Sequence, residues 1–181
     1  LEPLAGEPMI TRVIGRLSPV VKDEVVVVVN DEARVAELPL PESVQTAVDR
    51  HPGVGPLGGI LTGLEASDTD WSIAVSCDMP FLSARLFDYM LDQRDSYDAV
   101  IPLIKGRPEP THGVYAKSCL PHMERKILAG ELKIASFFDD VRVNFVHEDV
   151  LEDFDPGLIS FFNVNTQSDM DRTLALVARG F

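Results

Sequence analysis

The sequence predicts an α/β protein with a Rossmann-like, mainly parallel sheet, and three observations carry that reading. Val25–Val29 is five consecutive β-branched residues, the pattern of a strand buried on both faces. Similar short apolar segments alternate along the chain with stretches of helical character. Polar residues able to bind ligands, Asn30, Asp49 and Asp78, stand just past the ends of three of those segments. In open sheets of this class ligands bind outside the carboxyl ends of the strands, so these three are site candidates from the outset.

The elements follow in order. Residues 8–17 read as a helix with Pro8 in its first turn. Val25–Val29 is the first strand, Pro39 and Pro41 mark a loop, and Val44–Val48 is a second strand ending at Asp49. A Gly/Pro-rich loop over 51–59 leads into an apolar helix ending near Ala66. Residues 71–76 form a further apolar strand whose end is the turn Cys77-Asp78-Met79-Pro80. Ser83 caps a helix reaching Arg94. Ala99–Ile104 and residues 113–115 are strands around a Gly/Pro turn, 118–129 and 133–138 are helices, and 141–146 is a strand. Residues 153–157 read as a loop and 158–164 as a short strand or extended segment. Thr166 opens the last helix, with Asp169 three residues on as a shortened capping box.

Composition narrows the function. The 181 residues suit one domain over 1–181 with one sizeable core. A net charge of −13 argues against nucleic acid and against an anionic membrane surface, both of which need clustered cations. No apolar run approaches the roughly 20 residues of a membrane helix. Nothing resembles a secretory signal, and Cys77 and Cys119 make neither a disulfide framework nor a metal motif, so the cytoplasm is the expected compartment. An acidic protein can still bind a nucleotide through backbone N–H groups, a few local cations and a divalent metal.

Each candidate has a functional and a plain reading. Asp78, held by Pro80 beyond a buried strand, suits a hard cation such as Mg2+, or simply starts a turn. The glycines of Gly55-Pro56-Leu57-Gly58-Gly59 let a ligand approach a helix N-terminus, or form a flexible loop. Asn30 and Asp49 can bond a purine or ribose, or serve as turn residues. Asn163 and Asn165 share one side of an extended segment and can hold a ligand or a metal-bound water, or serve as turn and cap residues. His51, His112, His122 and His147 have no zinc spacing; His112, at a strand start in a Pro-rich loop, is the most interesting of them. Cys77 lacks a base partner and reads as an inert thiol.

Taken in series, these pieces resemble the molybdenum cofactor guanylyltransferases, the MobA family. The matching segments are Leu4-Ala5-Gly6-Glu7-Pro8-Met9-Ile10, Val28-Val29-Asn30, Asp49 before Gly55-Pro56-Leu57-Gly58-Gly59, Cys77-Asp78-Met79-Pro80-Phe81-Leu82, Pro110-Thr111, and Asn163-Val164-Asn165-Thr166. The resemblance implies a three-layer nucleotidyltransferase fold that transfers GMP from GTP to molybdopterin and releases pyrophosphate. It implies Mg2+ and GTP at Asp78, nucleotide contacts from Asn30, Asp49 and the Gly55-Pro56-Leu57-Gly58-Gly59 loop, and Asn163 and Asn165 facing the metal and the acceptor phosphate. Partners would be GTP, molybdopterin and a cofactor carrier or target molybdoenzyme. Lys105, Arg107, Lys117, Arg125, Lys126 and Lys133 would form a docking face for the acceptor, or an ordinary solvated surface. One departure stands out. The family's first central strand and its Leu-Ala-Gly-Gly-x-Ser-x-Arg-Met-Gly-x-Asp-Lys loop have no counterpart in these residues, and a sheet without that strand exposes its edges. The rivals are a cytidylyltransferase for the same cofactor, a sugar-phosphate nucleotidyltransferase, or a non-catalytic nucleotide- or cofactor-binding module.

Overall fold

The computed structural model describes residues 3–21 and 24–180. A short hairpin, β1 (Pro3–Leu4) and β2 (Glu7–Pro8), runs into α1 (Met9–Leu17). The helix buries Met9, Ile10, Val13 and Leu17, whose three- and four-residue spacing puts them on one face. β3 (Val25–Val29) pairs in parallel with β4 (Val44–Val48), with the short α2 (Glu32–Val35) between them. α3 (Pro56–Ala66) has Pro in its first turn, where the missing N–H costs nothing. β5 (Trp71–Val75) ends at the Asp78 turn, and Ser83 caps α4 (Ala84–Asp92) by accepting the Leu86 N–H.

β6 (Ala99–Ile104), β7 (Arg107–Pro108) and β8 (His112–Ala116) follow, then α5 (Leu120–Leu128), β9 (Val143–His147), α6 (Glu148–Phe154) and α7 (Gln167–Val177). β8 lies between β5 and β6, antiparallel to both, and β9 is parallel to β6. β5, β6 and β9 therefore share a direction, and the sheet is mixed through β8. Side-chain alternation gives this sheet two buried faces. Val100 and Val114 pack with Phe87, Met90 and Leu151 of α4 and α6, while Ile101 and Tyr115 pack with Leu57, Leu61 and Met123 of α3 and α5. These are the three layers expected of the fold. Among the described residues no helix is long and apolar enough to cross a membrane.

Three local expectations are corrected. Residues 133–138, read as an α-helix, belong to a 3-10 segment, Ile134–Asp140. Glu148–Phe154 is helical, so Asp153 and Phe154 are not loop; Glu148 and Asp149 in its first turn favour the positive helix end. Of residues 158–164, read as a short strand or extended segment, 158–161 are neither: Pro156–Phe161 winds as a kinked 3-10 segment in which Gly157 and Leu158 both take left-handed backbone angles, φ +74° and +51°, and extended backbone resumes at Phe162.

β3 was expected to be buried on both faces, yet Val25 to Val28 are only half-buried. The cause is a slot. No strand pairing joins β3 to β5 among the described residues. Between them runs a cavity of about 600 Å3, with Val25 to Val28 on one side and Trp71 to Val75 on the other. Ile10, Val13 and Ile14 of α1 and Gly59, Ile60 and Gly63 of α3 complete its lining. One end of the slot is clamped. Glu24 accepts from the Ser67 hydroxyl and the Asp68 N–H, both at 2.8 Å, which joins the start of β3 to the approach to β5. The exposed sheet edges that the resemblance led one to expect are thus the facing edges of β3 and β5.

His112 is fully buried in β8, stacked between Phe87 and Phe161 at ring-centroid distances of 4.5 and 4.2 Å. Neither ring nitrogen has a hydrogen-bond partner among the described residues. Burial holds its pKa down at about 3, against an ordinary value of 6.5. The unfolded chain therefore binds a proton below pH 6.5 that the folded chain refuses until about pH 3, so stability falls as pH drops through that window. Denaturant unfolding from pH 7 to 4 should show wild type losing stability faster than His112→Phe; equal pH slopes would contradict the buried neutral imidazole.

Candidate functional site

The site is assembled at the carboxyl ends of the strands, in two halves. In the first, the Asp49 N–H donates to the Val29 carbonyl at 2.7 Å and carries the β3–β4 ladder one residue past Val48. Asp49 consequently sits beside Asn30, which is exposed. Asp49 Oδ1 accepts from the His51 N–H at 2.8 Å and from the Thr62 hydroxyl at 3.3 Å. The first bond is an Asx turn that starts the loop leading to α3. Two glycines of that loop have different physical reasons. Gly55, the residue before α3, has φ +80°, which side chains rarely adopt. Gly58 lies against the loop itself: a Cβ there would come within 3.1 Å of His51 Cβ and 3.2 Å of the His51 carbonyl oxygen. Gly59 has open space beside it, where the slot begins, and Pro56 lines the same cavity. Leu57 points the other way, into the core.

The second half is built around Asp78. Its Oδ1 is buried without a hydrogen-bond partner among the described residues. Its carbonyl accepts the Val164 N–H at 2.9 Å, which holds the segment of Asn163 and Asn165 against the turn. Met9, Cys77, Asp78, Asn165, Thr166 and Gln167 surround a hollow of about 330 Å3. The N-terminus of α7 opens into it. Thr166 caps that helix by accepting the Asp169 N–H, and Asp169 accepts from Thr166 in return, the expected capping box. The Thr166 hydroxyl and the N–H groups of Asn165 and Thr166 hold the Asp169 carboxyl below its ordinary pKa. A helix N-terminus favours an anion, and an orphaned carboxylate oxygen favours a cation.

Among the described residues no group of three His, Cys, Asp or Glu side chains forms a metal cage. Asp78 could hold a hard cation, because its buried Oδ1 has no hydrogen-bond partner among the described residues.

The structure brings Asn30 beside Asp49, and Asp78 beside Asn165, but leaves the slot between the two pairs. Cys77 borders both the slot and the hollow and is exposed, and the strand before it, expected to be buried, is half-buried at all five positions because one of its edges lines the slot. Pro110 and Thr111 are held near the Asp78 turn: Ser76 donates to the Thr111 carbonyl at 3.2 Å, and the Tyr115 hydroxyl to the Pro110 carbonyl at 2.6 Å. His112, one residue on, belongs to the core and not to the site. The cations expected to share a face are divided. Lys105 and Arg107 flank the β6–β7 turn, Lys117 lies at the start of β5 through its bond to the Asp70 carbonyl, and Lys126 pairs with Glu131 and Asp140. Sequence reasoning passed over Arg12, Thr62 and Gln167. Arg12 reaches the site by donating to the Pro80 carbonyl at 3.3 Å, and only its place in the α1 spacing hinted at an inward course. Thr62 had a plainer signal, a polar residue within an apolar helix.

A family model described as "MobA-like NTP transferase domain" matches residues 1–147. The chain belongs to this family. A relative from Pelotomaculum thermopropionicum, a "probable molybdenum cofactor guanylyltransferase", is 34% identical over 164 residues, covering 91% of this chain and 78% of its own. A molybdenum cofactor guanylyltransferase of Desulfosudis oleivorans is 31% identical over 181 residues, 98% of this chain and 86% of its own. The solved structure of molybdopterin-guanine dinucleotide biosynthesis protein A from Archaeoglobus fulgidus superimposes with a TM-score of 0.84 at 30% identity, covering 98% of this chain and 89% of its own. The three-layer α/β architecture is thus that of the MobA-like nucleotidyltransferases.

Two neighbouring glycines of the loop should respond differently to alanine. Gly58→Ala forces the His51 backbone or Val54 to shift and should cost about 1 kcal/mol in urea unfolding. Gly59→Ala meets no atom and should be neutral or stabilising by up to about 1 kcal/mol through helix propensity. The reverse order would contradict the packing of the loop on α3.

Proposed function

We propose that the chain transfers GMP from GTP to the terminal phosphate of molybdopterin, forming the guanine dinucleotide cofactor and releasing pyrophosphate, with Mg2+ held by Asp78. The guanylyltransferase names of the relatives support this reading and favour guanine over the cytidylyl alternative. The observation that carries the site is Asp78 Oδ1, buried with no hydrogen-bond partner among the described residues, in a residue that lines the hollow at the N-terminus of α7.

Asn30 and Asp49 bind the nucleoside. The Asp49 carboxylate accepts from the guanine N1–H and 2-amino groups, which match an acceptor-only side chain. Of the loop Gly55-Pro56-Leu57-Gly58-Gly59, the accessible Gly55, Pro56 and Gly59 lie against the nucleotide, where glycine lets backbone approach closely, while the buried Leu57 and Gly58 hold the loop on the core. Asp78 would hold Mg2+, which when bound supplies neutralisation of the charge that develops on the phosphates. The N-terminus of α7, with Asn165 and Asn163 beside it, orients the anionic acceptor.

An acceptor phosphate oxygen forms a bond to the α-phosphorus, and the bond from that phosphorus to the α–β bridging oxygen breaks, so pyrophosphate leaves. The nucleophile is already anionic, so no general base and no covalent enzyme intermediate are required. Positioning and charge neutralisation are what the chain contributes. The same proposal places the reaction in the cytoplasm and passes the product to a cofactor carrier or a target molybdoenzyme.

Asp78→Asn keeps the shape of the turn and removes the charge. Pyrophosphate release from GTP with molybdopterin and Mg2+ should fall about 100-fold or more, with the circular dichroism spectrum unchanged. Near-wild-type turnover by the folded variant would rule out Asp78 as the metal ligand.

A further inference from the structure

Thr62 is a polar side chain in a place where the chain has otherwise put apolar ones. It lies in α3 between Leu61 and Gly63, and it is 2% exposed. A buried hydroxyl of this kind is held by its hydrogen bonds. Here there are two, and both go to the end of β4. Thr62 Oγ1 accepts the Arg50 N–H at 3.2 Å and donates to Asp49 Oδ1 at 3.3 Å.

Three consequences follow for Asp49. Its backbone is fixed by the 2.7 Å bond to the Val29 carbonyl. Its Oδ1 already holds two donors, the Thr62 hydroxyl and the His51 N–H. No hydrogen bond is seen to its Oδ2 among the described residues, so that oxygen is the one presented to a ligand. The carboxyl group is thereby stopped from rotating, and its free acceptor lobe has a fixed direction.

We propose that Thr62 is a positioning residue for base selection: it locks the Asp49 carboxylate in the orientation that discriminates guanine from other bases. The proposal rests on the reading of Asp49 as the base contact. A locked acceptor accepts the N1–H and 2-amino donors of guanine and meets a lone pair at N3 of cytosine or N1 of adenine. A site built around fixed polar groups rejects the wrong partner because its own groups are then left unpaired. A carboxylate free to swing would adjust to such partners and discriminate less.

The test uses isothermal calorimetry on the full chain with GTP, inosine triphosphate and CTP in the presence of Mg2+. Thr62→Val keeps the volume and removes the hydroxyl; Thr62→Ser keeps the hydroxyl. Thr62→Val should weaken GTP about 3- to 10-fold and leave CTP within about 2-fold, so the GTP:CTP preference falls, while Thr62→Ser retains it. A melting curve on each variant reports any structural cost separately, and Thr62→Ala is read in the same way should the valine variant not fold. An unchanged GTP:CTP preference in Thr62→Val, or an equal loss in Thr62→Ser, overturns the proposal. Asp49→Ala separates the two levels. If it abolishes the preference while Thr62→Val does not, only the role of Thr62 fails; if Asp49→Ala itself leaves the preference intact, the base contact fails and the proposal with it.

Discussion

The hydrogen bond from the Val164 N–H to the Asp78 carbonyl, 2.9 Å long, connects the end of β5 to the part of the site that comes from the far end of the chain. The start of α7 lies beside the turn, and Asp78 Oδ1 is buried with no hydrogen-bond partner among the described residues. Such a group is costly unless a cation or donor arrives. The capping box of Thr166 and Asp169 holds the helix end in place independently of any ligand, so the anion-favouring end of α7 and the cation-favouring carboxylate are fixed side by side in advance.

Strand direction extends this constraint to the rest of the rim. β5, β6 and β9 run together, and β3 runs with β4, so their carboxyl ends deliver Asn30, Asp49 and Asp78 to strand ends. The Glu24 bonds to Ser67 and Asp68 hold the opposite ends of β3 and β5 close. α3 borders the apolar slot between these strands, with open space beside Gly59, while Gly63 lies against β3, where an added Cβ would sit 3.4 Å from Val28 Cγ2.

Much of this was legible in the residues. The five valines and the segments at 44–48 and 71–76 gave strands whose bounds the structure reproduces or misses by one residue, because apolar β-branched runs leave the backbone few alternatives. Ser83 and Thr166 were readable as caps, since their chemistry is local. The kink at Gly157 and Leu158 was not, because it is imposed by packing around the buried Asp155, whose carboxylate accepts from Ser160. The reversed placement of β8 was equally hidden: pairing partners are long-range choices. At the site, Asn30, Asp49 and Asp78 stood out through strand-end position alone. Thr62 and Arg12 did not, since what they do depends on which loop folds over them. His112 drew attention for its Pro-rich setting, and two phenylalanines from distant elements decide its surroundings instead.

The most direct test of a nucleotide–metal site on this rim is paramagnetic broadening by Mn2+ in place of Mg2+, read on the backbone amides with GTP present. Resonances of Asp78, Asn165 and Gln167 should disappear first, while those of Glu24, Asp68 and Trp71, at the opposite ends of β3 and β5, should persist. Broadening centred on the latter group, or spread evenly over the acidic surface, would contradict a metal held at Asp78.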